Sequence, residues 1–267
     1  MPELPEVETC RRSLDRWTRD RRVDRIEFLD PRSIRDRRGD RPSAASERAA
    51  DRVREIVTGH SPVATRRHGK RLLWTWPRGC LLLHLGMTGK WTRLPSPFTK
   101  LRLHLDDGSA INFADPRLLG GVVPCTAEAG AGWLVEGLGP DAWDAPLPRF
   151  TGSRPIKVAL MDQARVAGLG NLHAAEALWR AGIDPRCPSG DTTSRHEALE
   201  AGVRAQLGLA LDELGENDEI TYVEEAGAAN PFPVYQRQGE ACPRCAGEIA
   251  RMVQAGRSTY WCPGCQR

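Results

Sequence analysis

Apolar residues in the first half of the chain recur in short runs with strand spacing. Leu101, Leu103 and Leu105 alternate with Arg102 and His104, a pattern typical of a half-buried strand. Similar runs predict strands at residues 23–29, 71–76, 80–85, 110–113 and 121–125. Because Gly and Pro punctuate these runs, this half predicts a β-sandwich.

Apolar residues with helical spacing occur before and after these strand-like runs. Val7, Cys10, Leu14 and Trp17 predict a helix over residues 5–18. Apolar faces over residues 171–181 and 196–214 predict a second, helical region. The polar stretch 32–50 predicts a loop and a short helix.

Residues 128–153 are rich in Gly, Pro and Trp and lack periodicity, which places a domain boundary there. The predicted fold class is α+β. The predicted organisation is a β-sandwich domain with an N-terminal helix (1–130), a linker (131–153), a helical module (154–234) and a cysteine-bearing module (235–267).

Charge is uneven along the chain. Residues 1–80 carry 20 basic and 13 acidic side chains, residues 81–234 carry 13 and 20, and residues 235–267 carry 5 and 2. If the two basic ends meet in space they form a face suited to phosphates, and otherwise they are a solvated Arg-rich surface. The sequence has no membrane-spanning apolar run and no signal-peptide pattern, so we expect a soluble, cytoplasmic protein without membrane association.

Four of the eight cysteines, Cys242, Cys245, Cys262 and Cys265, form the pattern C-x2-C-x16-C-x2-C. Two such pairs complete a tetrahedron around one zinc ion and leave no position for a catalytic water, so the metal is expected to be structural. Chance spacing and an iron–sulfur cluster are the alternatives. The other four cysteines lie among apolar neighbours and are expected to be core thiols.

The chain begins Met1-Pro2-Glu3-Leu4-Pro5-Glu6. One interpretation is an ordinary helix start, with proline and acidic residues in the first turn. The other requires removal of Met1, which gives Pro2 a free secondary amine. An α-amino group titrates near ~8, so such an amine is partly unprotonated at neutral pH and can attack a sugar carbon.

Several short motifs are weak individually. They are His68-Gly69-Lys70-Arg71 before a strand, His84-Leu85-Gly86-Met87-Thr88-Gly89 after one, Asp115-Pro116-Arg117, and Gly168-Leu169-Gly170-Asn171 at a helix start. Each has a structural interpretation: a core methionine, an ion-paired arginine, a plain helix start.

Together these motifs resemble the formamidopyrimidine-DNA glycosylase / endonuclease VIII family of bacterial bifunctional DNA glycosylases and abasic-site lyases. The resemblance runs in the family's order from the terminal Pro-Glu-Leu-Pro-Glu to the final Tyr-Trp-Cys-Pro-Gly-Cys-Gln. It implies an N-terminal β-sandwich, a helix–two-turn–helix module and a C-terminal zinc-finger hairpin, with damaged double-stranded DNA as partner. It also implies one structural zinc ion, and we expect a monomer in the bacterial cytoplasm or nucleoid.

The resemblance also assigns roles. Pro2 is the nucleophile and Glu3 the catalytic acid/base, with Glu6 in the same pocket. It assigns phosphate or DNA contacts to Lys70, Lys157, Asn171 and Arg257. Lys70 is also one of the catalytic residues that the resemblance implies. The side chains that fill the gap left by a flipped base are Met87 and Arg117, with Leu119 two positions further on.

Two features depart from the purine-specific branch of the family. Leu119 stands where an aromatic residue is usual, and residues 216–234, the expected cap over the flipped base, form a short segment. The implied activity is excision of ring-opened formamidopyrimidines and 8-oxoguanine, followed by β/δ-elimination through a Schiff base on Pro2. Alternatives are a preference for oxidised pyrimidines, a non-catalytic damaged-DNA-binding protein of the same fold, and a zinc-ribbon scaffold for protein contacts.

Overall fold

The computed structural model describes residues 2–36, 47–215 and 219–267, and these form two compact units. The first contains residues up to 136 together with 214–228, and the second contains residues 137–213 and 229–267. The part of the predicted segment 32–50 that spans residues 37–46 lies outside the described residues, as do Met1 and residues 216–218.

The described residues of the first unit form two four-stranded antiparallel sheets and three α-helices. One sheet has the order β1-β6-β7-β5 and the other β2-β3-β4-β8. The strands are β1 (Val23–Phe28), β2 (Ala64–His68), β3 (Arg71–Trp76), β4 (Gly79–His84), β5 (Lys90–Thr92), β6 (Thr99–Leu105), β7 (Ala110–Ala114) and β8 (Gly121–Cys125). The helices are α1 (Leu4–Thr18), α2 (Glu47–Val57) and α3 (Ala127–Val135).

One apolar core joins the two sheets, which confirms the predicted sandwich. Leu103 from one sheet and Trp74 from the other lie in the same buried cluster, together with Leu14 of α1. On the opposite face of the second sheet, Leu73 packs against Leu134 of α3. This sheet is therefore buried on both faces, which explains the continuous apolar run of residues 80–83.

The second unit is helical and ends in a hairpin. Its helices are α4 (Ile156–Leu160), α5 (Asn171–Ala181) and α6 (His196–Leu214), and its strands are β9 (Ala250–Gln254) and β10 (Arg257–Trp261). Residues 137–153, predicted as linker, have irregular backbone but bury Ala142, Leu147 and Phe150. They belong to the second unit.

The structure differs from the sequence-based prediction at β2 and at α2. Strand β2 was not predicted, because most of its side chains are polar and it forms by pairing with β3. Helix α2 extends to Val57, beyond the short helix expected within 32–50. Among the described residues, no helix has the length and apolarity needed to cross a bilayer.

Candidate functional site

The N-terminal Pro2 and Glu3 are buried at the start of α1, and Glu3 is only 1% exposed. A capping box fixes this start: the backbone N–H of Glu3 donates to Glu6 Oε2 at 2.8 Å, and the Glu3 carboxylate accepts from the N–H of Glu6. Helix α1 begins at Leu4, two residues after Pro2, so the capped helix start restricts where the Pro2 nitrogen can lie. The structure therefore brings Pro2, Glu3 and Glu6 together.

A buried ion pair links α1 to the hairpin that carries Lys70. Arg67 on β2 donates through Nε to Glu8 Oε2 at 3.1 Å, and its side chain is almost fully buried. Arg67 also donates to the carbonyl oxygen of Gly69 at 3.3 Å, in the turn that presents Lys70. Although burial opposes ionisation of Glu8, Arg11 and Arg67 lower the pKa of its carboxyl group. Sequence analysis missed this link, because Glu8 and Arg67 are 59 positions apart.

The three predicted wedge side chains lie in two turns of the first unit. Met87 follows β4 and is 39% exposed. Arg117 and Leu119 lie in the connection between β7 and β8, and Leu119 is 36% exposed. Apolar side chains as open as Met87 and Leu119 contribute little to the core, so both are available to a ligand.

Residues 219–228 of the predicted capping segment pack in the first unit, whereas residues 229–234 belong to the second unit. The Tyr222 hydroxyl donates to the carbonyl oxygen of Gly89 at 2.7 Å. The ammonium group of Lys90 lies 3.1 Å from Glu225 Oε1, and the backbone N–H of Arg93 donates to Glu219 Oε1 at 2.9 Å. These contacts place the segment beside the turn that carries Met87.

In the second unit, Lys157 is buried and organises its neighbours. Its ammonium group donates to Asn171 Oδ1 at 2.6 Å and to Thr259 Oγ1 at 2.8 Å. Asn171 in turn donates to the carbonyl oxygen of Ser258 at 2.9 Å. Since Lys157 is 1% exposed, direct contact between its ammonium group and DNA does not fit the structure. Its geometry is that of a residue that positions Asn171 against the hairpin.

Arg257 lies at the tip of this hairpin. The two turn residues, Ala255 and Gly256, both have positive φ, as a tight two-residue hairpin turn requires. Arg257 is exposed, and Thr259 lies two positions further along β10, so both point to the same face of the strand. Because Thr259 contacts the ammonium group that holds Asn171, Arg257 lies on the hairpin face next to Asn171.

The four predicted zinc ligands form one cluster, in which all four sulfurs lie within 4.8 Å of one another. The Sγ–Sγ distances are 3.8 Å for Cys242–Cys265 and 3.4 Å for Cys245–Cys262. A tetrahedral zinc ion with Zn–S bonds of about 2.3 Å requires sulfurs about 3.8 Å apart, so the cluster fits the metal. Of the remaining cysteines, Cys10, Cys80 and Cys125 are buried as expected, whereas Cys187 is partly exposed.

Comparison with protein-family models gives three matches in chain order. Residues 1–122 match the formamidopyrimidine-DNA glycosylase N-terminal domain, residues 148–215 match the H2TH domain of the same glycosylases, and residues 239–267 match a zinc finger found in FPG and IleRS. Two curated relatives are similar over 100% of both chains: the formamidopyrimidine-DNA glycosylases of Paracoccus denitrificans, 40% identical, and Alkalilimnicola ehrlichii, 35% identical. The chain belongs to the formamidopyrimidine-DNA glycosylase family.

The solved structures agree with this family membership. A Lactococcus lactis FPG mutant in complex with DNA containing Fapy-dG superposes with a TM-score of 0.83 at 27% identity, over 100% of both chains. The resemblance drawn from the motifs is thus confirmed, and so are the helix–two-turn–helix module and the zinc-finger hairpin. As in the family's zinc finger, Cys242, Cys245, Cys262 and Cys265 form a structural zinc site.

Proposed function

We propose that this protein is a base-excision-repair enzyme that removes oxidised bases from double-stranded DNA and then cleaves the abasic site, with Pro2 as nucleophile. The observation that carries the proposal is the position of Pro2 and Glu3, buried together at the capped start of α1. Family membership and solved relatives in complex with DNA containing Fapy-dG, carbocyclic 8-oxo-G or an abasic site support it.

The chemistry follows from a secondary amine. Once Met1 is removed, the Pro2 nitrogen attacks C1′ of the deoxyribose, the C1′–base bond breaks, and the base leaves with a proton. The Glu3 carboxyl group then gives a proton to O4′, the C1′–O4′ bond breaks and the sugar ring opens. The product is an iminium ion between Pro2 and C1′, which acidifies the protons on C2′. Loss of a C2′ proton expels the 3′ phosphate, a second elimination expels the 5′ phosphate, and water then releases the sugar and regenerates the amine.

The neighbouring carboxyl groups have different tasks in this scheme. Glu3 adjoins the nucleophile and is the group proposed to move protons during ring opening and elimination. Glu6 accepts the backbone N–H of Glu3 at 2.8 Å and so fixes the residue that carries the catalytic carboxyl group. Zinc takes no part in the reaction and maintains the fold of the hairpin.

DNA binding uses separate groups in each unit. Lys70 at a hairpin tip and Arg257 at the zinc-finger tip are proposed phosphate contacts, and Asn171 lies at the N-terminus of α5, where the helix dipole favours an anion. Met87, Arg117 and Leu119 are proposed to fill the space that a flipped nucleotide leaves, which offsets part of the cost of unstacking.

The lesion preference follows from Leu119 and the short capping segment. Leucine cannot stack on a base as an aromatic ring does, so it supports the opposite strand less well. A short cap offers fewer hydrogen bonds to 8-oxoguanine, and a pocket that makes fewer bonds discriminates less. We therefore expect fast processing of formamidopyrimidines and abasic sites, slower processing of intact 8-oxoguanine, and some acceptance of oxidised pyrimidines.

Single-turnover assays on duplexes that each carry one lesion test this proposal. We expect release of the base and strand cleavage by wild-type protein, and loss of both when an uncleaved tag converts the Pro2 amine to an amide. The variant Glu3→Gln should retain DNA binding and lose activity. Tight lesion binding without any product would instead favour the non-catalytic alternative, and 8-oxoguanine opposite cytosine as by far the fastest substrate would contradict the interpretation of Leu119.

A further inference from the structure

The two turns that carry the wedge side chains are in direct backbone contact. Gly86, in the turn before Met87, has φ +63°, and a Cβ placed on it would lie 2.4 Å from the carbonyl carbon of Leu119 and 2.5 Å from the nitrogen of Gly120. Only glycine fits this approach. The turn after β4 and the turn between β7 and β8 therefore pack without an intervening side chain.

One carboxylate, that of Asp115, bonds to both turns. Its Oδ1 accepts the Thr88 hydroxyl at 2.6 Å, from the turn that carries Met87. The same oxygen accepts the N–H of Arg117 at 3.2 Å, and Oδ2 accepts the N–H of Gly120 at 2.7 Å. Asp115 is 0% exposed, so its carboxylate is removed from bulk water, and its bond to Gly120 is fully buried.

Arg35 holds the second turn from another side. Its Nη2 donates to the carbonyl oxygens of Gly120 at 2.6 Å and of Leu118 at 3.3 Å. Leu118 has φ +54°, a left-handed conformation that is unfavourable for leucine and persists only where the surroundings enforce it. The bonds from Arg35 and Asp115 enforce it, and they thereby set the direction of Arg117 and Leu119.

We propose that Asp115 is a positioning residue that joins the two turns into one preformed wedge, with the Thr88 hydroxyl as the link between them. The proposal rests on the proposed function, because it assumes that Met87, Arg117 and Leu119 enter the space left by a flipped nucleotide. A preformed wedge enters that space without a separate ordering cost for each turn. Asp115 thus acts through other residues and touches neither the sugar nor the base.

The variant Thr88→Val separates this role from general stability. It removes the one side-chain bond from Thr88 to Asp115 and keeps the shape of the side chain, while the bonds of Asp115 within its own turn remain. Thr18→Val is the control, since it too removes a threonine hydroxyl bond, in this case a buried one to the carbonyl oxygen of Leu14 at 2.7 Å on α1. Asp115→Asn, whose amide NH2 must face the backbone N–H of either Gly120 or Arg117, should have the larger effect.

Two measurements give the outcome. The first is the fluorescence of 2-aminopurine placed opposite a tetrahydrofuran abasic analogue in a duplex, which reports insertion of the wedge without chemistry. The second is the single-turnover rate on a lesion in a duplex divided by the lyase rate on an abasic site in single-stranded DNA, which needs no flipping. We expect Thr88→Val to lower the insertion signal and to reduce the rate ratio about five- to tenfold, the effect of about one hydrogen bond to a charged acceptor.

The remaining outcomes show whether the role of Asp115 or the proposed function fails. A Thr88→Val variant with an unchanged insertion signal and rate ratio, or one that behaves like Thr18→Val, would overturn the role of Asp115. An equal loss on duplex and single-stranded substrates would also overturn it, because that pattern indicates general destabilisation. If wild-type protein cleaves neither substrate, the proposed function fails, and the insertion signal still tests the wedge by itself.

Discussion

Replacement of Lys157 by methionine tests whether this lysine organises the second unit. Methionine keeps an apolar stem of similar length and removes the ammonium group, so Asn171 Oδ1 and Thr259 Oγ1 each lose a donor. A buried acceptor left unsatisfied costs about 1–3 kcal/mol, and removal of the buried charge recovers part of that cost. We expect the free energy of unfolding of the second unit to fall by about 2–4 kcal/mol.

The assay is urea unfolding followed by zinc release to a chromogenic chelator, because the hairpin reports on the second unit. Lys100→Met is the matched control: it removes the same charge in the first unit, where the ammonium group lies 3.6 Å from Asp30. Lys157→Met should release zinc at lower urea and bind duplex DNA more weakly, and Lys100→Met should release zinc as wild type does. Unchanged zinc release by Lys157→Met, with a salt dependence of binding reduced by about one ion, would indicate a direct phosphate contact and refute this reasoning.

Further predictions concern the zinc site, the hairpin tip and pH. Cys262→Ser should release the metal and weaken DNA binding, and zinc-free active protein would contradict a structural zinc. Arg257→Ala should lower affinity and reduce the slope of log K against log salt by about one, and an unchanged slope would argue against a phosphate contact. Burial, followed in size by the positive charge of Arg35, lowers the pKa of His84 from 6.5 to about 4. As pH falls, His84 therefore takes up a proton in the unfolded chain before it does so in the folded protein. The free energy of unfolding should decrease by about 1–3 kcal/mol between pH 6.5 and 4, and His84→Gln should remove most of that decrease in urea titrations. The lowered pKa of Glu8 acts in the same direction, with stability lost as pH falls below about 4.5, and Glu8→Gln should remove that part.

Local patterns in the sequence predict much of the fold. Alternation at Leu101, Leu103 and Leu105 predicts β6, because one face of that strand is buried and the other is not. The spacing of the four cysteines predicts the zinc site, because both knuckles have to reach one ion. The motif at Pro2 and Glu3 identifies the candidate nucleophile, because it depends only on neighbouring residues.

Contacts between distant residues were not predictable in this way. Asp115 and Thr88 are 27 positions apart, and Lys157 and Thr259 are 102 positions apart. No periodicity links such pairs, since the backbone topology decides which side chains meet. The same holds for residues 219–228, which follow α6 in sequence but pack in the first unit through Tyr222.

Peptide mapping after borohydride trapping is the most direct test of the central claim. Borohydride reduces an iminium ion to a stable amine, so the enzyme becomes covalently linked to an oligonucleotide with an abasic site. The account predicts an adduct at residue 2, and no adduct when a retained tag blocks the Pro2 nitrogen. An adduct on Lys70 or Lys157 in the untagged protein would contradict it.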